Sequence, residues 1–159
     1  MGSMAATGLE VFDKTLQTTH TWLDGIMAEL GEDRQTAWHA LGAVLRPLRD
    51  RLPLELAVHL GAQLPLLVRG LYYDQWRPHG QPDKSRSLEA FLEPVEAGLV
   101  NTRPVEGEAA MRAVFRALAK HLDPGQVSKV IDALPEEVKA LWVGALVAND
   151  AGSAAREAG

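Results

Sequence analysis

The second half of this chain repeats the first. Displaced by 70 positions, the segment Ala43–Tyr72 lies on Ala113–Trp142 without a gap. Identities fall at Ala43/Ala113, Val44/Val114, Arg46/Arg116, Leu48/Leu118, Leu52/Leu122, Leu64/Leu134, Pro65/Pro135, Val68/Val138 and Leu71/Leu141, and Tyr72 meets Trp142. Upstream, a displacement of 69 brings Trp22-Leu23-Asp24 onto Phe91-Leu92-Glu93, Ile26 onto Val95 and Leu30 onto Leu99. Most matched positions are apolar or a proline, so what repeats is a packing scheme. Two units are too few for an open solenoid, and a half this small is marginal alone. The sequence therefore predicts two tandem, pseudosymmetric four-helix units sharing one core.

The periodicity within each unit is helical. Leu9, Phe12, Leu16, Leu23, Ile26 and Leu30 recur at three- and four-residue steps, the stripe of an amphipathic helix that Gly31 is placed to end. A second helix runs from Asp33, a candidate N-cap, to about Arg51, with Ala37, Trp38, Leu41, Val44, Leu45 and Leu48 inward. Pro47 falls inside it and removes one backbone bond. Pro53 and Pro65 open two shorter helices. Arg77–Arg86, with Pro78, Gly80 and Pro82, reads as an exposed linker. Ser87 caps the next helix, and further helices span about Pro104–Leu122, from Asp123-Pro124-Gly125-Gln126 onward (a capping-box pattern), and Pro135–Leu146. The fold class read from this pattern is all-α. Met1–Ser3 resembles a cloning remnant, residues 4–147 form one helical domain (first repeat about 9–76, linker 77–86, second repeat about 87–146), and the small, polar tail 148–159 is expected to be disordered.

Composition excludes several function classes. A chain of 159 residues with a 47% hydrophobic fraction can bury a core by apolar packing alone. It has no cysteine, which removes disulfides, thiolate metal sites and a thiol nucleophile. The net charge is −5 and no basic run occurs, which argues against a nucleic-acid partner. No apolar segment is long enough to span a bilayer, and the opening residues lack the order of a secretory signal, so a cytoplasmic protein is expected.

Catalytic signatures are missing from the sequence. There is no Gly-x-Gly-x-x-Gly, no Gly-Lys-Ser/Thr loop and no Gly-x-Ser-x-Gly. Acidic pairs such as Glu136-Glu137 lie near helix starts, where negative charge suits the helix dipole. None of the five histidines forms a helical metal pair, so no metal site is expected. His39 and His59 are the candidates for a ligand in an internal cavity, haem included, against the plainer reading of boundary or surface histidines. The most unusual stretch is Arg69–Pro78, with Arg69, Tyr72, Tyr73, Asp74, Trp76 and Arg77 close together. Its repeat counterpart keeps only Trp142 of these aromatics, so one copy carries something that packing does not require. Tyr, Trp and Arg are typical of binding surfaces; core packing by Tyr72 and Trp76 is the plainer alternative.

The segment Leu64-Pro65-Leu66-Leu67-Val68-Arg69-Gly70-Leu71-Tyr72-Tyr73 with Trp76-Arg77-Pro78, the segment Leu134–Val138, and the opening Phe12–Gly31 together resemble the family DUF2267, over about Gly8–Leu146. That resemblance implies a bacterial all-α protein with a topology grouped near the globins. It carries no assigned catalytic residues. The reading of function from sequence is a non-enzymatic helical protein acting through a protein partner or self-association. The alternative is a carrier or sensor of a small ligand or cofactor such as haem.

Overall fold

A computed structural model of the chain describes the backbone of residues 7–158 and the side chains of residues 7–148. The expected remnant Met1–Ser3 lies outside the described residues. Among the described residues eight α-helices follow one another: α1 (Glu10–Leu30), α2 (Arg34–Arg51), α3 (Leu54–Gln63), α4 (Leu66–Tyr73), α5 (Leu88–Gly98), α6 (Gly107–His121), α7 (Pro124–Ala133) and α8 (Glu136–Ala158). The protein is all-α, as its periodicity requires.

Helix ends follow local chemistry. Asp33 accepts the Gln35 N–H and Ser87 accepts the Ala90 N–H, so both expected caps form. Gly31 closes α1 at φ 112°, where a side chain would be strained. Asp123 accepts the Gln126 N–H, but the Gln126 side chain is buried towards Gln63 rather than turned back, so only half of the capping box is made. Pro53 and Pro65 sit at the N-cap, one residue before the expected first turn. The last helix extends past Leu146 to Ala158, through the stretch that composition marked as disordered; its side chains from residue 149 onward lie outside the described residues.

The repeat reappears in the packing. α1 lies on α6 while its counterpart α5 lies on α2; α4 lies on α2 while α8 lies on α6; α1 meets α4 as α5 meets α8. The self-matched pairs α2/α6 and α3/α7 touch each other. Each half therefore covers the apolar face of the other's central helix. One continuous buried cluster draws on both, with Val44, Leu48, Val68 and Tyr72 from the first half and Val114, Leu118, Val138 and Trp142 from the second. Even a planar contact is repeated: the Arg51 guanidinium lies over the Phe91 ring at 5.3 Å, and His121 stacks on Trp22 at 4.8 Å.

The start of α1 departs from its stripe. Leu9, Phe12 and Leu16 are exposed, and the buried side chains of α1 begin only at Thr19. Thr19 corresponds to Leu88, where α5 begins, so the first turns of α1 overshoot the repeated unit.

Candidate functional site

The linker between the halves is built onto α2. The Gln81 amide donates to the carbonyls of Arg49 (2.5 Å), which also accepts the Leu52 N–H, and of Leu52 (2.7 Å), at the end of α2. The Asp83 N–H donates to the Asp50 carbonyl at 2.7 Å. Its carboxylate faces Arg51 at 3.5 Å. The Asp83 carboxyl is held below its ordinary range by the Ser85 backbone N–H first, then by the Ser85 hydroxyl, with Arg51 adding to the effect. Between this pinned linker and α2 opens a cleft of about 410 Å³, lined in part by Arg49, Asp50, Arg77 and His79. A smaller hollow of about 190 Å³ shares Arg49, Asp50 and Gln75 as a wall and continues to Arg46 and Pro94.

Arg49 is the structural centre of the cleft. Its side chain is 4% exposed. Nε donates to Asp50 at 2.9 Å, and one terminal nitrogen donates to the carbonyls of Tyr72 (2.8 Å) and Asp74 (3.0 Å). That clamp ties the end of α2 to the end of α4. It holds the turn in which Gln75 takes φ 58°, a left-handed conformation that costs a residue with a Cβ.

The six residues singled out from the sequence divide by role. Tyr72 is fully buried and its hydroxyl donates to the Ala57 carbonyl at 2.6 Å; burial pushes its phenol well above the ordinary tyrosine range, so it stays neutral. Tyr73 is half-buried and stacks on Trp76 at 5.4 Å. The Trp76 indole lies under the Arg49 guanidinium at 5.7 Å and donates to Gln81 at 3.3 Å, forming the floor beneath the linker. Arg69 donates to the carbonyls of Gly61, Ala62 and Leu64 and closes the end of α3, a helix-capping task. Asp74, 54% exposed, stands at 3.7 Å from Arg46. Arg77 is the one of the six that lines the main cleft, and it is exposed.

The other candidates lie elsewhere. His39 on α2 and His59 on α3 are both exposed, on separate helices, and neither lines a cavity described above. Among the described residues no group of three or more His, Asp or Glu could hold a metal ion. No described helix is long and apolar enough to cross a membrane. His121 is instead the histidine with an environment: half-buried against Trp22, with burial first and Lys120 second lowering its pKa. Sequence reasoning did not find Arg46, Arg49 or Gln81. A signal for Arg46 was present, since Arg46/Arg116 is a charged identity among apolar ones.

Fold and cleft together define a class: an intertwined all-α protein with an open polar cleft where its two halves are joined. The family model described as "Uncharacterized conserved protein (DUF2267)" matches residues 19–141, and the chain belongs to that family. No curated protein matches it.

Proposed function

We propose that this protein is a non-enzymatic binding protein and that its partner, another protein or a second copy, is recognised at the cleft between α2 and the linker. One observation carries this reading. The cleft is the place where the first half departs from the second. Where the second half has Ala119, Ala145 and Val147, the first has Arg49, Gln75 and Arg77 on the cleft wall, with Asp74 and Trp76 beside them in the same turn in place of Gly144 and Leu146. The second half closes with a small and apolar set; in the first half Arg49 and Trp76 also hold the turn together, and Gln75 and Arg77 are the exposed polar side chains available for recognition. The cleft is open and its walls are ionic, which suits a polypeptide surface better than a flat apolar cofactor.

A photo-crosslinking side chain placed at exposed His79 tests this, with one at exposed His59 as control. A discrete adduct at 79 and none at 59 is expected, and its mass separates a partner protein from a second copy. Arg77→Ala, a change at an exposed side chain, should weaken the adduct and leave the melt unchanged. Equal labelling at both positions, or no adduct from native lysate or purified protein, would overturn the reading.

A further inference from the structure

The second half shows how the Arg46 position is satisfied when only packing is at stake. Its counterpart Arg116 donates from Nε to the Ala145 carbonyl at 3.0 Å and pairs with Glu29. Arg46 has lost both partners. The counterpart of Glu29 is Gly98, where nothing larger fits: a Cβ there would lie 2.7 Å from the Cβ of Ala43. The counterpart of Ala145 is Gln75, whose backbone has left the helix for the left-handed turn. Arg46 Nε is buried with no hydrogen-bond partner among the described residues.

What remains near Arg46 is a loose arrangement. The guanidinium folds over Gly42, where an added Cβ would meet Nη2 at 3.0 Å. Its acidic neighbour Asp74 stands at 3.7 Å, longer than the ~2.7–2.9 Å of a charge-assisted hydrogen bond. The side chains of Arg46 and Asp74 are 33% and 54% exposed, a setting in which an ion pair contributes little. Behind them, Arg49 is paired through Nε with the Asp50 carboxylate, which also lines the hollow, and one of its terminal nitrogens serves the Tyr72 and Asp74 carbonyls, so Arg46 is the cation there with an uncommitted edge.

We infer that Arg46 is an oxyanion receptor: the smaller hollow beside the cleft takes a carboxylate or phosphate group on the Arg46 guanidinium in place of Asp74. A planar guanidinium edge matches the paired oxygens of either group. Asp74 is then an internal placeholder, displaced when the ligand arrives. This rests on and deepens the reading of the adjoining cleft, which shares Arg49, Asp50 and Gln75 with the hollow, as a recognition surface. It does not depend on whether the oxyanion belongs to a protein side chain, a chain terminus or a small molecule.

The test uses the full chain and two probes, acetate and inorganic phosphate, titrated at constant ionic strength with the arginine Nε–H resonances followed by NMR. The Arg46 Nε–H signal should move saturably, with a Kd of about 1–10 mM, as befits one ionic contact. Asp74→Asn removes the competitor and should lower that Kd by about threefold. Arg46→Met should leave the neighbouring Arg49 Nε–H signal without any saturable shift. If Arg46→Met fails to fold, Asp74→Asn still decides. The better probe identifies the source as carboxylate or phosphate. No saturable shift with either probe, or a Kd unchanged in Asp74→Asn, would overturn the inference. A partner adduct at position 79 without anion binding refutes this inference alone, whereas anion binding without any adduct refutes the protein-partner reading alone.

Discussion

Trp76→Ala measures how firmly the turn after α4 is held beneath the linker. The indole is half-buried, stacked on Tyr73 and covered by Arg49. Truncating a fully buried aromatic costs about 3–5 kcal/mol. With the ring only half-covered, the transfer and cavity parts fall to roughly 1.5–2.5 kcal/mol. Loss of the Arg49 contact adds about 0.5 kcal/mol. The lost hydrogen bond to Gln81 adds little, because the Gln81 amide keeps its bonds to the carbonyls of Arg49 and Leu52 and the linker stays attached. The expected total is about 2–3 kcal/mol, a fall in Tm of about 5–10 °C for a domain of this size. Urea denaturation should show a lower midpoint with an unchanged slope. A loss under about 0.5 kcal/mol would mean that the ring is a free surface anchor. A loss above about 4 kcal/mol would mean that linker and core depend on it far more than its half-burial implies.

Three further outcomes follow from packing and charge. The His121 pKa is depressed in the fold, so its contribution is fully present above the unfolded value of 6.5 and is lost as pH falls below it; His121→Phe should flatten that part of a Tm-against-pH profile, and an unaltered slope would refute the assignment. Arg69→Met removes three bonds to the end of α3 and should cost about 1–2 kcal/mol by chemical denaturation while leaving the position-79 adduct intact; loss of the adduct in a folded variant would return Arg69 to the binding surface. Residues 4–75 expressed alone should show no cooperative melt, because α1 and α2 would lack α6 and α5; a monomeric half with a sharp transition would break the shared-core account.

The sequence alone determined the all-α class, most helix positions, the caps at Asp33 and Ser87, and the repeat. These are local or periodic properties: a helix marks its apolar face every three to four residues, and a cap is read from one side chain and its next turn. Matched apolar positions in two halves also announced a shared packing scheme. Tertiary structure decided what lies opposite each face. Leu9, Phe12 and Leu16 continue the stripe of α1 yet are exposed, because α5 has no equivalent of those turns and the repeated packing scheme does not reach them. The cleft was half legible. The concentration of Arg69, Tyr72, Tyr73, Asp74, Trp76 and Arg77 drew attention to the turn after α4, but it could not say that Arg69 caps α3, that Tyr72 is core, or that Arg77 faces open space. Arg49 looked like one more charge on α2 because its acceptors, the carbonyls of Tyr72 and Asp74, lie 23 and 25 residues away along the chain. Hydrogen bonds of that reach leave no periodic trace, and the fate of Arg46 depends on which of two equivalent turns stays helical.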